Sequence, residues 1–285
     1  MKGISTIDCM LGLNLGGERV LLNKWIEQGL IRDEESKTYY QPAEHFFKDS
    51  RGRIEKGGSV DEVIALMDEV GVEKGLIGAS VDNPDRTLEV IEKYPDRFFG
   101  TVSVNPYLGM DHIRKLERLI EGYKELKAAH VVGFEIQRPY NDKIYYPLYA
   151  KCVELDIPII VYVGIPGPRV PGECQNPIYL DEVCWFFPEL KIVMRHGGEP
   201  WESLCVKLML KWPNLYYSTS AFAPKHIPKE IIHYANTRGT DKVVYAGYYP
   251  GIDYHRLKSE IEQLPLRDHV WPKFLRENAM KVFKL

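Results

Sequence analysis

The sequence predicts an α/β protein built from eight strand–helix units, and three observations carry that reading. Short apolar runs recur along the 285 residues with helix-period stretches between them, the alternation expected of parallel strands joined by crossover helices. Several runs, such as IPIIVYV and KVVYAG, are continuous and rich in β-branched or aromatic residues, as strands covered on both faces should be. Many units also end alike: EVGVEKGLI, KYPDRFFG, ELDIPIIV, FFPELKIV, KWPNLYY and RGTDKVVY each stop a helix with Gly, Pro or Asp and start a strand at once. Such a chain has the size of a (β/α)8 barrel, although an open doubly wound sheet can carry as many strands.

Taken in order, strands are predicted at Gly3–Met10, Glu73–Ala79, Phe98–Asn105, Val131–Gln137, Pro158–Gly164, Lys191–Gly197, Asn214–Thr219 and Lys242–Gly247. Helices are predicted between them at Val60–Val70, Asp85–Tyr94, Met110–Lys127, Tyr146–Leu155, Leu180–Phe187, Trp201–Trp212 and Lys229–Thr237, with Trp271–Phe283 closing the chain. In the first of these Val60, Val63, Ile64 and Met67 mark one face at a helix period. No low-complexity linker divides the chain, so one barrel domain over residues 1–285 is expected. One segment breaks the rhythm: residues 11–59 separate the first strand from the helix at Val60, far beyond an ordinary strand-to-helix loop. It carries Trp25, Tyr39, Tyr40, His45, Phe46 and Phe47, enough aromatic surface to cover a ligand as an active-site wall or lid, with His45 a candidate substrate contact. An inserted subdomain or a dimer contact fits the same length.

Composition narrows the partners. Lys and Arg number 37 against 40 Asp and Glu, a formal charge of -3, so there is no global basic field for nucleic acid or an anionic membrane. A small-molecule substrate is expected instead. No uninterrupted apolar run reaches the roughly 18 residues of a membrane span, and MKGISTIDCMLG lacks the regions of a signal peptide, which points to a cytoplasmic protein. The 5 cysteines form no CxxC pair and are expected as buried thiols.

Stretches in the same order along nearly the whole chain resemble a known family. ISTIDCML, RFFGTVSVNP, VVGFEIQRP, YYPLYAKCVELDIPIIVYVG, LKIVMRHGGEPW, NLYYSTSAF, DKVVYAGYYPG and RENAMKVFKL together resemble the amidohydrolase-related proteins, in the aminocarboxymuconate-semialdehyde-decarboxylase-like branch of decarboxylases and hydrolases. HGGEPW and NAMKVFKL are the more specific of these motifs. The resemblance implies a (β/α)8 barrel that pairs into a homo-oligomer, with one divalent metal at the C-terminal ends of the strands. A catalytic zinc takes three protein ligands from His, Cys or carboxylate and leaves one position for water. The resemblance implies that these come from a His-x-His pair ending the first strand, a His ending the fifth and a His ending the sixth, with an Asp ending the eighth. Here Met10 and Gly12 stand at the pair, Tyr162 at the fifth strand and Tyr248 at the eighth, so only His196 matches. Glycine has no side chain, a thioether suits copper(I) better than zinc, and a phenol must lose a proton near pH 10 before it ligates well. No bound metal or other cofactor is therefore expected. The alternative is zinc held by unfamiliar ligands from Cys9, Asp8, Glu135 or Asp253, with alternation counting against Cys9.

By the same alternation Asp8, Met10, Glu135, Gln137, Tyr162, Met194, His196 and Tyr248 face inward at the strand ends, while Arg195 faces away toward the helices. Such a pocket suits an organic, ring-bearing ligand. His196, followed by two glycines, is the candidate general base; Tyr162 and Tyr248 are either donors to a developing oxyanion or fillers of the space. Glu135 must be paired, protonated or employed, either in catalysis or in a salt bridge with Arg138. Arg138 is a candidate bidentate clamp on a substrate carboxylate, and Met10, Gln137 and Tyr249 complete the substrate-binding set. The expected function is that of a hydrolase acting without a divalent metal on a small, ring-containing carboxylic acid or its ester. A metal-independent decarboxylase or hydratase of the same fold, or a non-catalytic ligand-binding relative, is the alternative.

Overall fold

The computed structural model describes residues 2–13 and 19–285. Its strands lie in one sheet in chain order: β1 Thr6–Asp8, β2 Val72–Ser80, β3 Phe98–Ser103, β4 Leu126–Val131, β5 Ile159–Tyr162, β6 Ile192–Arg195, β7 Leu215–Ser218 and β8 Val243–Val244. Every neighbouring pair is parallel. The two edges of the sheet meet beyond β1 and β8. There the Cys9 N–H donates to the Tyr245 carbonyl at 3.0 Å, the Tyr248 N–H to Met10 at 3.1 Å and the Gly12 N–H to Tyr249 at 2.7 Å. The sheet thus closes on itself as a (β/α)8 TIM barrel, which decides between the two architectures the sequence allows.

The strands sort their side chains as a closed barrel requires. Ile7, Leu76, Phe99, Ala128, Ile160, Val193, Tyr216 and Val244 pack together with Ala279, Val282 and Phe283 of the C-terminal helix. These residues form the barrel interior, and the helix plugs the end opposite the strand C-termini. Their alternates, including Val102, Val131, Val161, Met194 and Tyr217, join the larger outer core under the helices. With both faces of each strand buried, continuous apolar runs are what the fold demands.

The helices are α1 Val20–Glu27, α2 Glu34–Lys37, α3 Ser50–Lys56, α4 Val60–Val70, α5 Asp85–Lys93, α6 Gly109–Gly122, α7 Gly133–Ile136, α8 Tyr146–Glu154, α9 Leu180–Phe186, α10 Glu202–Lys211, α11 Lys229–Ala235, α12 Tyr254–Ile261 and α13 Asn278–Phe283. In α4 the reasons are local. Ser59 accepts the Glu62 N–H while Glu62 accepts the Ser59 N–H, a reciprocal cap. Gly71 ends the helix at φ 86°. Val63, Met67 and Val70 are buried from this helix, each burial stabilising by about 2 kcal/mol.

Three expectations need correction. The fourth strand runs over Leu126–Val131, not Val131–Gln137; the latter stretch begins with the strand's last residue and then turns into α7, ending with Gln137 at φ 55°. Lys and Ala in LKAAHV favour a helix, but pairing with β3 and β5 overrides that preference. A helix absent from the expectation, α12, is capped by Asp253, whose carboxylate accepts the Arg256 N–H at 3.1 Å. The closing stretch Trp271–Phe283 begins as a π-helix at Lys273–Glu277 before α13.

The segment 11–59 includes residues 14–18, which lie outside the described residues. The rest of it carries α1, α2 and α3. Leu22, Trp25, Ile31 and Tyr39 pack with Val132, Phe134 and the half-buried Tyr162 at the C-terminal side of β4 and β5. Phe47 stacks on Tyr248 at 5.0 Å beyond β8. The segment therefore touches the mouth of the barrel from two sides.

Candidate active site

The C-terminal mouth brings together side chains from β4, β5, β6 and the turn after β8. The His196 ring meets Tyr162 edge-on with centroids 4.2 Å apart, and Tyr248 edge-on at 5.6 Å. Beside them lies Arg195, which is 4% exposed and donates from Nη2 to the Cys9 carbonyl at 3.0 Å. Arg195 shares its face of β6 with the interior residue Val193, whereas Met194 belongs to the outer core. The expectation that Arg195 faces the helices and Met194 the pocket is thus reversed. His196 still reaches the mouth because it has left the strand: its φ is 73°, and Gly197 and Gly198 follow at 82° and 77°. A left-handed residue breaks the two-residue alternation. Tyr248 is re-aimed in the same way, at φ 67°.

The same reversal holds at β1. Cys9 packs in the interior cluster, and Met10 borders it. Asp8 points outward, where Oδ1 accepts the Met10 and Gly247 N–H groups at 2.9 and 2.7 Å and Oδ2 accepts the Tyr254 hydroxyl at 2.8 Å. Asp8 therefore knits β1 to the chain beyond β8 and does not face the pocket. Burial raises its pKa from 3.8 to about 6.

A second imidazole, His130 at the end of β4, was missed because that strand was placed too late. Its Nδ1 lies 3.3 Å from Thr101 Oγ1. The repeating pattern of a helix stop followed at once by a strand contained the signal, since Gly122 ends α6 just before Leu126. Burial, reinforced by Arg195, lowers the His130 pKa to about 3 and drives that of His196 well below its ordinary value. Both rings are neutral at pH 7. Burial likewise raises the Tyr162 and Tyr248 phenols, so both keep their protons and act as donors. Ser220 Oγ accepts the backbone N–H of His196 and lies 3.2 Å from its Nδ1. The Ser220 hydroxyl can donate to Nδ1 or accept from it, according to the tautomer of the ring. A neutral His196 carries one N–H donor and one acceptor nitrogen.

The remaining candidates lie at the rim or beyond it. Glu135 sits on α7, accepting from Trp25 Nε1 at 2.7 Å with Lys24 Nζ at 3.4 Å, so its partner is Lys24 and not Arg138. Gln137 is exposed and donates to the Phe134 and Pro171 carbonyls. Arg138 is exposed and donates to the Tyr107 hydroxyl at 3.1 Å. His45 is exposed beside Tyr39 and Phe46. Tyr249 stacks on Tyr254 at 4.8 Å and lines a separate cavity of about 160 Å³ with Gly12, Tyr40 and Arg53. Of these five, Glu135 borders the cluster around His196, its charge helping to raise the Tyr162 phenol; Gln137, Arg138, His45 and Tyr249 make their contacts away from it.

A barrel with its polar cluster at the strand C-termini has the general layout of a (β/α)8 enzyme. The chain belongs to the amidohydrolase family, whose sequence profile (Amidohydrolase) matches residues 39–285. Solved structures agree on the fold. An uncharacterised TIM-barrel protein of Bordetella bronchiseptica is 22% identical, with a TM-score of 0.76 and 98% of each chain covered. The 5-carboxyvanillate decarboxylase of Novosphingobium aromaticivorans, with manganese and 4-hydroxy-3-methoxy-5-nitrobenzoic acid, is 19% identical, with a TM-score of 0.72, covering 100% of this chain and 97% of that one. A probable 2-pyrone-4,6-dicarboxylic acid hydrolase of Acinetobacter baumannii with citric acid bound is 16% identical, with a TM-score of 0.63, covering 80% of this chain and 90% of that one. No curated protein matches the sequence significantly.

The residues at this mouth do not fit a divalent ion. Among the described residues no group of three or more His, Cys, Asp or Glu converges on a metal-sized space. Both tyrosines hold their protons more firmly than a free phenol, and the Arg195 guanidinium places a positive charge close to both, where it repels a second cation.

Proposed function

We propose that this chain is an enzyme of the amidohydrolase barrel that acts, without a bound divalent metal, on a small, ring-containing carboxylic acid or its ester. One observation carries the reading: a neutral His196 flanked edge-on by two protonated phenols at the C-terminal mouth. In a buried site such donors stabilise negative charge developing on a substrate oxygen, since little water competes with them. The imidazole N–H of His196 and the Tyr162 and Tyr248 hydroxyls are those donors, with the Ser220 hydroxyl beside Nδ1 to orient the ring. The ring-bearing acids handled by the 5-carboxyvanillate decarboxylase and the probable 2-pyrone-4,6-dicarboxylic acid hydrolase support the substrate class, as does the aromatic wall of Trp25, Phe134 and Tyr162.

The test is turnover by chelator-treated protein with its metal content measured, against a panel of aromatic and dicarboxylic acids and their methyl esters, followed by chromatography and mass spectrometry. Turnover that survives chelation supports the proposal. Turnover abolished by chelation and restored by manganese or zinc refutes it.

A further inference from the structure

Two buried polar atoms inside the barrel lack partners among the described residues: Arg195 Nε and Ser218 Oγ. They are neighbours. Met194 pairs with Tyr217 across β6 and β7, so the next rung sets Arg195 beside Ser218. On the other side Tyr162 pairs with Arg195 across β5 and β6. Tyr162 and Arg195 share the inward face with Ile160 and Val193, and Ser218 shares it with Tyr216. Tyr162, Arg195 and Ser218 thus form one row of donors across three adjacent strands, under the half-buried ring of His196.

A guanidinium in this setting is expensive to leave uncompensated. Arg195 is 4% exposed, and its hydrogen bonds go to neutral oxygens, the Cys9 carbonyl and the Tyr162 hydroxyl. Asp8 contributes a favourable field from the far side of β1, but its oxygens are taken by two backbone N–H groups and the Tyr254 hydroxyl. A buried charge is ordinarily paired, and an unsatisfied buried donor is a second, separate cost. Both are relieved by one kind of ligand: an anion with an oxygen that accepts from Nε and from Ser218. A planar carboxylate meets a guanidinium edge well.

We propose that Arg195 is the resident cation of this site and that, with Ser218 and Tyr162, it binds the carboxylate of a ring-bearing acid in the recess where the fold family otherwise places a divalent ion. The inference rests on the proposed function for the ring and deepens it by naming the group that is held and the residues that hold it. The carboxylate oxygens accept hydrogen bonds from Arg195 Nε and the Ser218 and Tyr162 hydroxyls. The attached ring then lies toward His196 and Tyr248, whose donors are left for a second substrate oxygen. This separates anchoring from chemistry: one cation to hold the acid, neutral donors to stabilise the charge that develops.

The experiment titrates chelated protein with benzoate and with its neutral isostere benzamide, reading tryptophan fluorescence and calorimetry. Wild type is expected to bind benzoate at least about tenfold more tightly than benzamide. Ser218→Ala, a small change expected to leave the fold intact, should weaken benzoate by about three- to tenfold and leave benzamide nearly unaffected. Arg195→Met should remove the preference for the anion; should that variant not fold, the wild-type and Ser218→Ala comparisons still decide. Equal affinity for the two probes, benzoate binding that requires added metal, or no benzoate binding up to about 10 mM overturns the inference. Benzoate held through Arg195 by a protein that turns over nothing in the panel defeats the proposed activity and supports the anchor. Metal-free turnover undiminished in Arg195→Met defeats the anchor and supports the activity.

Discussion

Asp8 offers the most quantitative test of how this barrel is closed. Its carboxylate is fully buried between β1 and the chain beyond β8, and burial raises its pKa from 3.8 to about 6, against the lowering effects of its three hydrogen bonds and of Arg195. The folded pKa lies above the unfolded one, so folding takes up a proton. The group's contribution to stability is therefore fully present below about pH 4 and is lost as pH rises through about 6. At about 1.36 kcal/mol per pKa unit the rise amounts to about 3 kcal/mol between the two limits. Asp8→Asn keeps the geometry: the amide oxygen still accepts from Met10 and Gly247, and the amide nitrogen donates to the Tyr254 oxygen in place of accepting from its hydroxyl. We expect this variant to match wild type near pH 4 and to exceed it by up to about 3 kcal/mol at pH 8. Urea unfolding followed by far-ultraviolet circular dichroism from pH 4 to 8 measures the difference. An Asn variant less stable than wild type at pH 8 but equal to it at pH 4 would refute the reasoning, because the charge would then be a net stabiliser of the closed barrel.

Three further outcomes follow from the mouth. Gly197→Ala forces a side chain onto a residue at φ 82° and drives its Cβ to 2.0 Å from the Phe222 ring; a loss on the order of 3–5 kcal/mol is expected, and a thermal melt within 2 °C of wild type, read as roughly no change, would reject it. Ser220→Ala removes the hydroxyl that orients His196, so kcat should fall about 10–100-fold with KM little changed, while Ser220→Thr restores most of the rate; equal losses in both variants would argue against orientation. With His196 and His130 both neutral well below their ordinary range, kcat/KM should show no limb between pH 6 and 8, and an apparent pKa of about 6.5 in that profile would contradict the buried, neutral imidazole.

The β5 and β6 runs were legible because their evidence is local: an apolar stretch preceded by a Gly, Pro or Asp stop, in IPIIVYV and LKIVMR. Tyr162 could be placed at its strand end for the same reason, and β5 keeps its alternation to that point. β4 was misplaced because LKAAHV has weak strand character of its own and becomes a strand only between β3 and β5. That error put Glu135 and Gln137 on a strand that ends before them and kept His130 out of the inward set. Asp253 looked like a possible ligand and is a helix cap, a role that shows only when the following helix is recognised.

The sequence by itself determined the order of strand–helix units, the family, and which residue types stand at the strand ends, since each depends on neighbours along the chain. It could not determine which way those residues point. Whether Arg195 faces the helices or the interior depends on the sheet closing through Cys9, Met10 and Gly12 to Tyr245, Tyr248 and Tyr249, contacts between residues at opposite ends of the chain. His196 joins Arg195 on the same side only because its backbone turns left-handed against Ser220. Tertiary structure decided the direction of the charge, and with it the chemistry at the mouth, because strand alternation fails wherever φ changes sign.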